Sequence, residues 1–229
     1  MVRPSDTIVT FNYDLLLDNA LLMTDRWFPS DGYGIDFFNL PYTGIKSLSR
    51  LLKLHGSLNW VKYSGMSPGK SLHYDVGEYG LAGYREGYLH SPTDQCIREI
   101  EEPKETHFSE LSSKTLILPP LRQKDTLDHA GLARLWLEFY ESLSQADIIY
   151  VIGYSLPPSD TWIRDFLRLV AIRRLDTPPP KMHIVNSDSE HLAKVQEFFE
   201  KDLLWEVVSN RCRTFSEWVD RQVMKKSRQ

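Results

Sequence analysis

Thr7-Ile8-Val9-Thr10-Phe11-Asn12-Tyr13-Asp14 is the stretch that decides the fold class. Through Phe11 it is β-branched and apolar, bounded upstream by Pro4-Ser5-Asp6, and it reads as a buried strand. From Asp14 to Met23 leucines recur at helical spacing, so a helix is predicted to begin directly behind Asn12. Its first turn would aim unpaired backbone amides and a positive dipole end at the edge carrying Asn12 and Asp14. A strand, a polar turn and a helix form the repeating unit of an open α/β sheet, whose ligands bind at the carboxyl ends of its strands.

The same texture returns along the chain. A loop-rich stretch from Trp27 to Gly44 leads into a short helical or extended piece, Ile45 to Leu54, and then His55-Gly56. From Lys62 to Lys114 glycines and interleaved tyrosines dominate, followed by the acidic Glu99-Ile100-Glu101-Glu102. A structureless loop of that length is abnormal inside a compact domain, so 62–114 is expected to be an insertion with its own small structure, or a lid. A strand then ends at Pro119-Pro120. A helix over Ala130–Gln145 carries Leu132, Leu135, Trp136, Phe139, Tyr140 and Leu143 on one face. Strands are predicted at Ile148–Ile152, Met182–Val185 and Trp205–Val208, with helices at Asp160–Arg173, Glu190–Asp202 and Phe215–Met224. Continuous apolar strands separated by helices imply an α/β fold with a Rossmann-like, mostly parallel, doubly wound sheet. One domain over 1–229 is expected, with the insertion at about 62–114.

Composition narrows the function classes. At 41% hydrophobic and 25% charged residues the chain can bury a sizeable core, and disorder is not expected. A net charge of -4 gives no overall basic footprint for nucleic acid; the basic Lys225-Lys226-Ser227-Arg228 reads as a solvated helix end. No apolar run approaches the roughly 20 residues that span a bilayer, and no signal-peptide pattern is present, so the expected compartment is the cytoplasm. Cys96 and Cys212 read as free thiols. With two cysteines and no HExxH or His-x-His pattern, no metal site is expected.

The strand ends share a chemical pattern. Ile8-Val9-Thr10-Phe11 runs into Asn12; Leu52-Lys53-Leu54 into His55-Gly56; Ile149-Tyr150-Val151-Ile152 into Gly153-Tyr154-Ser155; and His183-Ile184-Val185 into Asn186-Ser187-Asp188. Polar clusters at carboxyl ends of strands suit one shared nucleotide site. Gly153 would allow backbone to approach a phosphate or ribose, Ser155 offers a hydroxyl, and Asn186 and Asp188 suit ribose hydroxyls. Each residue also has a purely architectural alternative. Asn12 serves equally as an N-cap, Asp14 as a complement to the helix dipole, and His55 as a strand-end group bonded to backbone. Ser155 could start the turn at Pro157-Pro158, Asp160 could cap the next helix, and Asn186 and Asp188 could be turn formers.

Taken in order, these residues resemble the sirtuins. Thr10-Phe11-Asn12-Tyr13-Asp14 is similar to their Thr-Gln-Asn-x-Asp, His55-Gly56 to their His-Gly, Gly153-Tyr154-Ser155-Leu156 to their Gly-Thr-Ser-Leu, and Asn186-Ser187-Asp188 to their Asn-x-Glu or Asn-x-Asp. Val208-Ser209-Asn210-Arg211-Cys212 followed by a helix resembles the family's ending. The wording Lys-Leu-His-Gly-Ser-Leu-Asn-Trp and Ile-Gly-Tyr-Ser-Leu-Pro-Pro-Ser-Asp resembles most the sirtuin-like domains of bacterial antiphage-defence proteins, which typically hydrolyse NAD.

The resemblance implies a role for each residue. Asn12 would order water and ribose and His55 would act as general base, a task suited to a side chain with an unperturbed pKa of about 6.5. Thr10, Asp14, Gly153, Ser155, Asn186 and Asp188 would hold NAD, Asp14 at the carboxamide. The chain departs from the family's pattern in two places. The family's zinc ribbon of four cysteines would fall in 62–114, where only Cys96 stands, so no zinc is expected and protein lysine deacylation stands as the third and least supported outcome. The family's Gly-Ala-Gly-x-Ser phosphate loop, which precedes the Thr-Gln-Asn strand, has no counterpart before Asp6. The expectation is a fragment or truncated relative, or a loop supplied by another part of the molecule, a homo-oligomer or a partner subunit. The expected ligand is NAD or ADP-ribose, with an NAD hydrolase and a non-catalytic binding module as the two main outcomes.

Overall fold

A computed structural model of the chain describes residues 3–37, 40, 46–64, 78–82, 84–85, 88–89, 112–117, 130–157 and 160–226. They fall into two compact units, Met1–Phe139 and Tyr140–Gln229.

In the first unit β1 (Thr7–Thr10) pairs in parallel with β2 (Arg50–Lys53), in a register that sets Thr7 opposite Arg50 and Thr10 opposite Lys53. The predicted strand stops one residue early, because Thr10 is the last to find a partner and Phe11 turns away from the ladder. The helix behind it, α1, spans Leu16–Leu22, two residues later than the leucine spacing suggests. Asp14 is spent on that delay: its Oδ1 accepts the Leu16 amide at 3.0 Å and holds residues 14–15 outside the helix. A short helix, α2, covers Pro29–Gly32, with proline in the first turn, where its missing N–H costs nothing. Leu51, Leu52 and Leu54 are buried and carry β2 into the core.

The expected insertion has structure of its own. β3 (Gly56–Ser64) is a nine-residue strand, which the loop-like composition after residue 62 hid. It lies between β4 (Glu78–Leu81) and β7 (Ser112–Ile117), antiparallel to both. β5 (Tyr84–Arg85) and β6 (Tyr88–Leu89) form a second antiparallel pair. Cys96, His73, His90 and His107 lie outside the described residues. The helix α3 spans Ala130–Gln145, as its periodicity predicts, and buries Leu132, Leu135, Trp136, Phe139 and Leu143.

In the second unit β8 (Ile148–Ile152), β9 (Lys181–Asn186) and β10 (Val207–Arg211) form a parallel sheet in the order β10-β9-β8. α4 (Thr161–Arg173) connects the first two strands, and α5 (Ser189–Glu197), extended by a π turn over Phe198–Asp202, connects the last two. Right-handed crossovers taken twice in the same direction put both helices on one face. There Ile163, Leu167, Val170, Val195 and Phe199 are buried. α6 (Phe215–Lys226) comes last, with Trp218 against Tyr150 of β8 at 5.6 Å, and Tyr150 stacks on His183 at 4.9 Å. β10 begins two residues later than predicted because Trp205 belongs to the core, stacked on Phe199 at 5.8 Å, with its amide bonded to the Phe199 carbonyl. The chain is thus α/β, with parallel strands linked by helices in the second unit and a parallel pair in the first. No helix among the described residues is long and apolar enough to cross a membrane.

Candidate functional site

Four of the predicted residues, Thr10, Asn12, Asp14 and His55, belong to the first unit and meet at the carboxyl end of the β1–β2 pair. The Leu54 amide donates to the Thr10 carbonyl at 3.2 Å, so the two strands leave the ladder side by side. The turn after β1 is held at its start by the Thr10 hydroxyl, which accepts the Asn12 amide at 3.1 Å. Asn12 and Tyr13 are exposed. His55 is only 4% exposed, and the Phe11 ring stands over it at 5.4 Å and 58°. The imidazole is therefore buried against Phe11, the residue that leads into Asn12.

Gly56 lies beside His55 for a local reason. Its φ is +83°, and a Cβ there would meet the Leu116 carbonyl of β7 at 1.9 Å. The group that packs closely against Gly56 is backbone, not a side chain.

The sequence gives no direct sign of what lies under the turn. Lys53 and Asp18 are both fully buried, with Lys53 Nζ 2.9 Å from Asp18 Oδ2 and 3.1 Å from Oδ1. The same ammonium donates to the backbone carbonyl of Asp14. Burial pulls the Lys53 pKa below its ordinary value, and the Asp18 carboxylate opposes that pull. Tyr33 donates its hydroxyl to Asp18 Oδ1, and burial first and then the carboxylate push its pKa well up. The buried donors of Asn59 and Trp60 face that hydroxyl and oppose the rise, although neither completes a well-aligned hydrogen bond. Ser57, also buried, donates to Asn59 Oδ1 at 2.7 Å. One signal could have found this hub: a lysine inside the apolar run Leu51-Leu52-Lys53-Leu54 requires a buried partner.

The other four predicted residues, Gly153, Ser155, Asn186 and Asp188, belong to the second unit and lie at the ends of neighbouring strands. The Gly153 amide donates to the Val185 carbonyl at 2.9 Å. Its φ is +69°, and the space where a Cβ would stand is open. Asn186 Oδ1 accepts the Asp188 amide at 3.0 Å, and Asp188 Oδ1 accepts the amides of Glu190 and His191 at 2.8 and 3.1 Å. Asp188 is therefore the N-cap of α5, and those two amides hold its pKa below the usual carboxylate range. Asp160 stands at the N-cap position of α4, yet its carboxylate accepts the Tyr154 hydroxyl at 2.8 Å instead of a backbone amide.

Ser155 lines a cleft of about 370 Å³ together with Leu156, Arg164 of α4, and His191, Lys194 and Phe198 of α5 and its π turn. Arg164 donates to the Leu156 carbonyl at 2.7 Å and lies over the Phe198 ring at 5.0 Å, which fixes one cation on the wall. The cleft is open and carries both signs of charge, since Glu197 and Asp202 line it beside Arg164, Lys194 and Lys201, with a hydroxyl and an aromatic ring at its border. Among the described residues no group of three or more histidine, cysteine, aspartate or glutamate side chains could hold a metal ion. Compared with protein-family profiles, with curated proteins and with solved structures, the chain matches none.

Proposed function

We propose that the chain is a sirtuin-like NAD-binding domain of Rossmann-like, doubly wound type that hydrolyses NAD to nicotinamide and ADP-ribose, with a role in antiphage defence. The observation that carries the reading is positional. Each of the four motifs, Asn12-Tyr13-Asp14, His55-Gly56, Gly153-Tyr154-Ser155 and Asn186-Ser187-Asp188, begins within two residues of the carboxyl end of a parallel strand, where open α/β sheets bind nucleotides. In the proposed reaction the bond between ribose C1′ and the nicotinamide nitrogen breaks, and its electron pair leaves with neutral nicotinamide. Water adds to C1′. Asn12 orders that water, and the His55 imidazole takes the proton by way of the ribose hydroxyls.

Full-length protein given NAD is expected to release nicotinamide, measured by chromatography, and Asn12→Ala and His55→Ala are expected to lower the rate by about 10²–10⁴-fold, the range for a general base. Unchanged turnover in both variants would remove this pair from catalysis. A second reading, a module that binds NAD or ADP-ribose without cleaving it, is favoured by the burial of His55 under Phe11. Calorimetric binding of ADP-ribose with no nicotinamide released on long incubation selects it.

A further inference from the structure

We propose that Lys53 is a positioning residue that fixes the Asn12–Asp14 turn relative to the β2–β3 turn bearing His55; the inference rests on the NAD reading for its kinetic readout and on geometry alone for its structural one. The ammonium has three protons and three acceptors: Asp18 Oδ1 at 3.1 Å, Asp18 Oδ2 at 2.9 Å and the Asp14 carbonyl. Two of these make an ion pair. The third reaches into the turn.

Placing an ion pair in a fully buried site is costly, and a well-packed apolar pair of similar volume is often as stable or more so. Stability therefore gives little reason for a lysine inside Leu51–Leu54, whereas a directed grip on one carbonyl does. The turn is tied at both ends, to the Thr10 hydroxyl through the Asn12 amide and to Lys53 through the Asp14 carbonyl, and in its middle by the Leu58 amide, which donates to the Tyr13 carbonyl at 3.0 Å; only the Lys53 tie comes from a side chain outside the β1 turn. Lys53 lies opposite Thr10 in the ladder and two residues before His55, so the last residue of β2 holds the Asn12–Asp14 turn and the two-residue turn directly behind it carries the histidine. The Asp18 carboxylate, held in turn by Tyr33, aims the ammonium. A reacting pair kept in register this way avoids the loss caused by a misplacement near 1 Å, about 10²-fold in rate.

The test uses the full chain with Lys53→Met combined with Asp18→Leu, which leaves no buried charge stranded, and separately Lys53→Arg. Hydrogen exchange is monitored over residues 11–16 and over β8–β10, and nicotinamide release over a range of NAD concentrations. In the double variant exchange over 11–16 is expected to speed up by about tenfold, as loss of one charged hydrogen bond implies, while β8–β10 keep their protection. On the same footing kcat falls by about 10²-fold with little change in KM, and Lys53→Arg, which keeps a cation within reach of the carbonyl, recovers part of both losses. Unchanged protection over 11–16 overturns the proposal. Should the double variant not fold, Lys53→Arg decides: a shifted exchange pattern confined to 11–16 supports the proposal, and a pattern identical to the parent's overturns it. A parent chain that releases no nicotinamide refutes the NAD-hydrolase reading, and the exchange arm still decides the role of Lys53.

Discussion

Two turns in this molecule share one formula, Asn-x-Asp after an apolar strand, and are built in opposite ways. After β9, the side chains of Asn186-Ser187-Asp188 bond only to near neighbours, Asn186 to the Asp188 amide and Asp188 as the cap of α5, while the Asn186 carbonyl is tied to the Cys212 amide beyond β10 at 3.2 Å. After β1, Asn12-Tyr13-Asp14 has only one comparable local bond, from the Leu16 amide to Asp14, and no side-chain cap at the start of α1. Its other supports come from the Thr10 hydroxyl, from the Leu58 amide of β3, which donates to the Tyr13 carbonyl at 3.0 Å, and from a buried lysine 39 residues away. A locally capped turn is rigid by itself and leaves its polar atoms engaged. A turn held from beneath keeps Asn12 exposed and free to face a ligand, at the cost of burying a charge pair.

Removing the remote support should do far more damage than removing the local one. Asp18→Ala strands the buried Lys53 ammonium, and breaking such a pair costs about 3–5 kcal/mol, read from the midpoint of urea unfolding. A loss below about 1 kcal/mol, the size expected of an exposed pair, would show that the hub is hydrated and that the contrast between the turns is overstated.

The glycines beside the two turn regions sharpen the contrast further. Gly56→Ala must adopt a left-handed conformation and drive its Cβ into the Leu116 carbonyl. Left-handed strain of about 1–2 kcal/mol added to overpacking of about 1–3 kcal/mol predicts a loss near 3 kcal/mol. At Gly153 the conformation is similar but the space is open, so Gly153→Ala should cost only the strain, about 1–2 kcal/mol. Equal losses in thermal unfolding at matched ΔH would mean that β7 yields to accommodate the methyl group, and would remove the packing argument for Gly56.

The range of the forces involved sets how much of the molecule is legible in its sequence. β8 and the helix Ala130–Gln145 are readable to the residue, since their apolar periodicity is a local property. The strand-end positions of Asn12, His55, Gly153 and Asn186 are legible for the same reason. β3 is not, because it owes its length to antiparallel partners at 78–81 and 112–117, and glycine-rich flanks hide its pairing. Nor is the Lys53–Asp18–Tyr33 hub, in which Tyr33 and Lys53 lie 15 and 35 residues from Asp18 and meet it only in the folded chain. Asp188 is legible in kind but open in role: the residue suits ribose and N-cap alike, and only the α5 amides show it capping.

The smallest expected effect isolates the local turn. Asp188 is exposed, and the Glu190 and His191 amides depress its pKa, so the native state favours its charged form more than the unfolded chain does. The stability it contributes is present in full above the unfolded carboxylate value of about 3.9 and fades as pH falls through the lower folded value. Asp188→Ala should therefore lower Tm modestly at pH 7, and the gap between variant and parent should close as the solution is acidified below that window. Asp188→Asn, which keeps the capping oxygen without the charge, should recover most of the gap at pH 7 and lose the pH dependence. A gap that persists unchanged at low pH would mean that Asp188 acts by shape and not by charge. The turn after β9 would then remain locally capped, by hydrogen-bond geometry and not by the charge that Lys53 brings to the turn after β1.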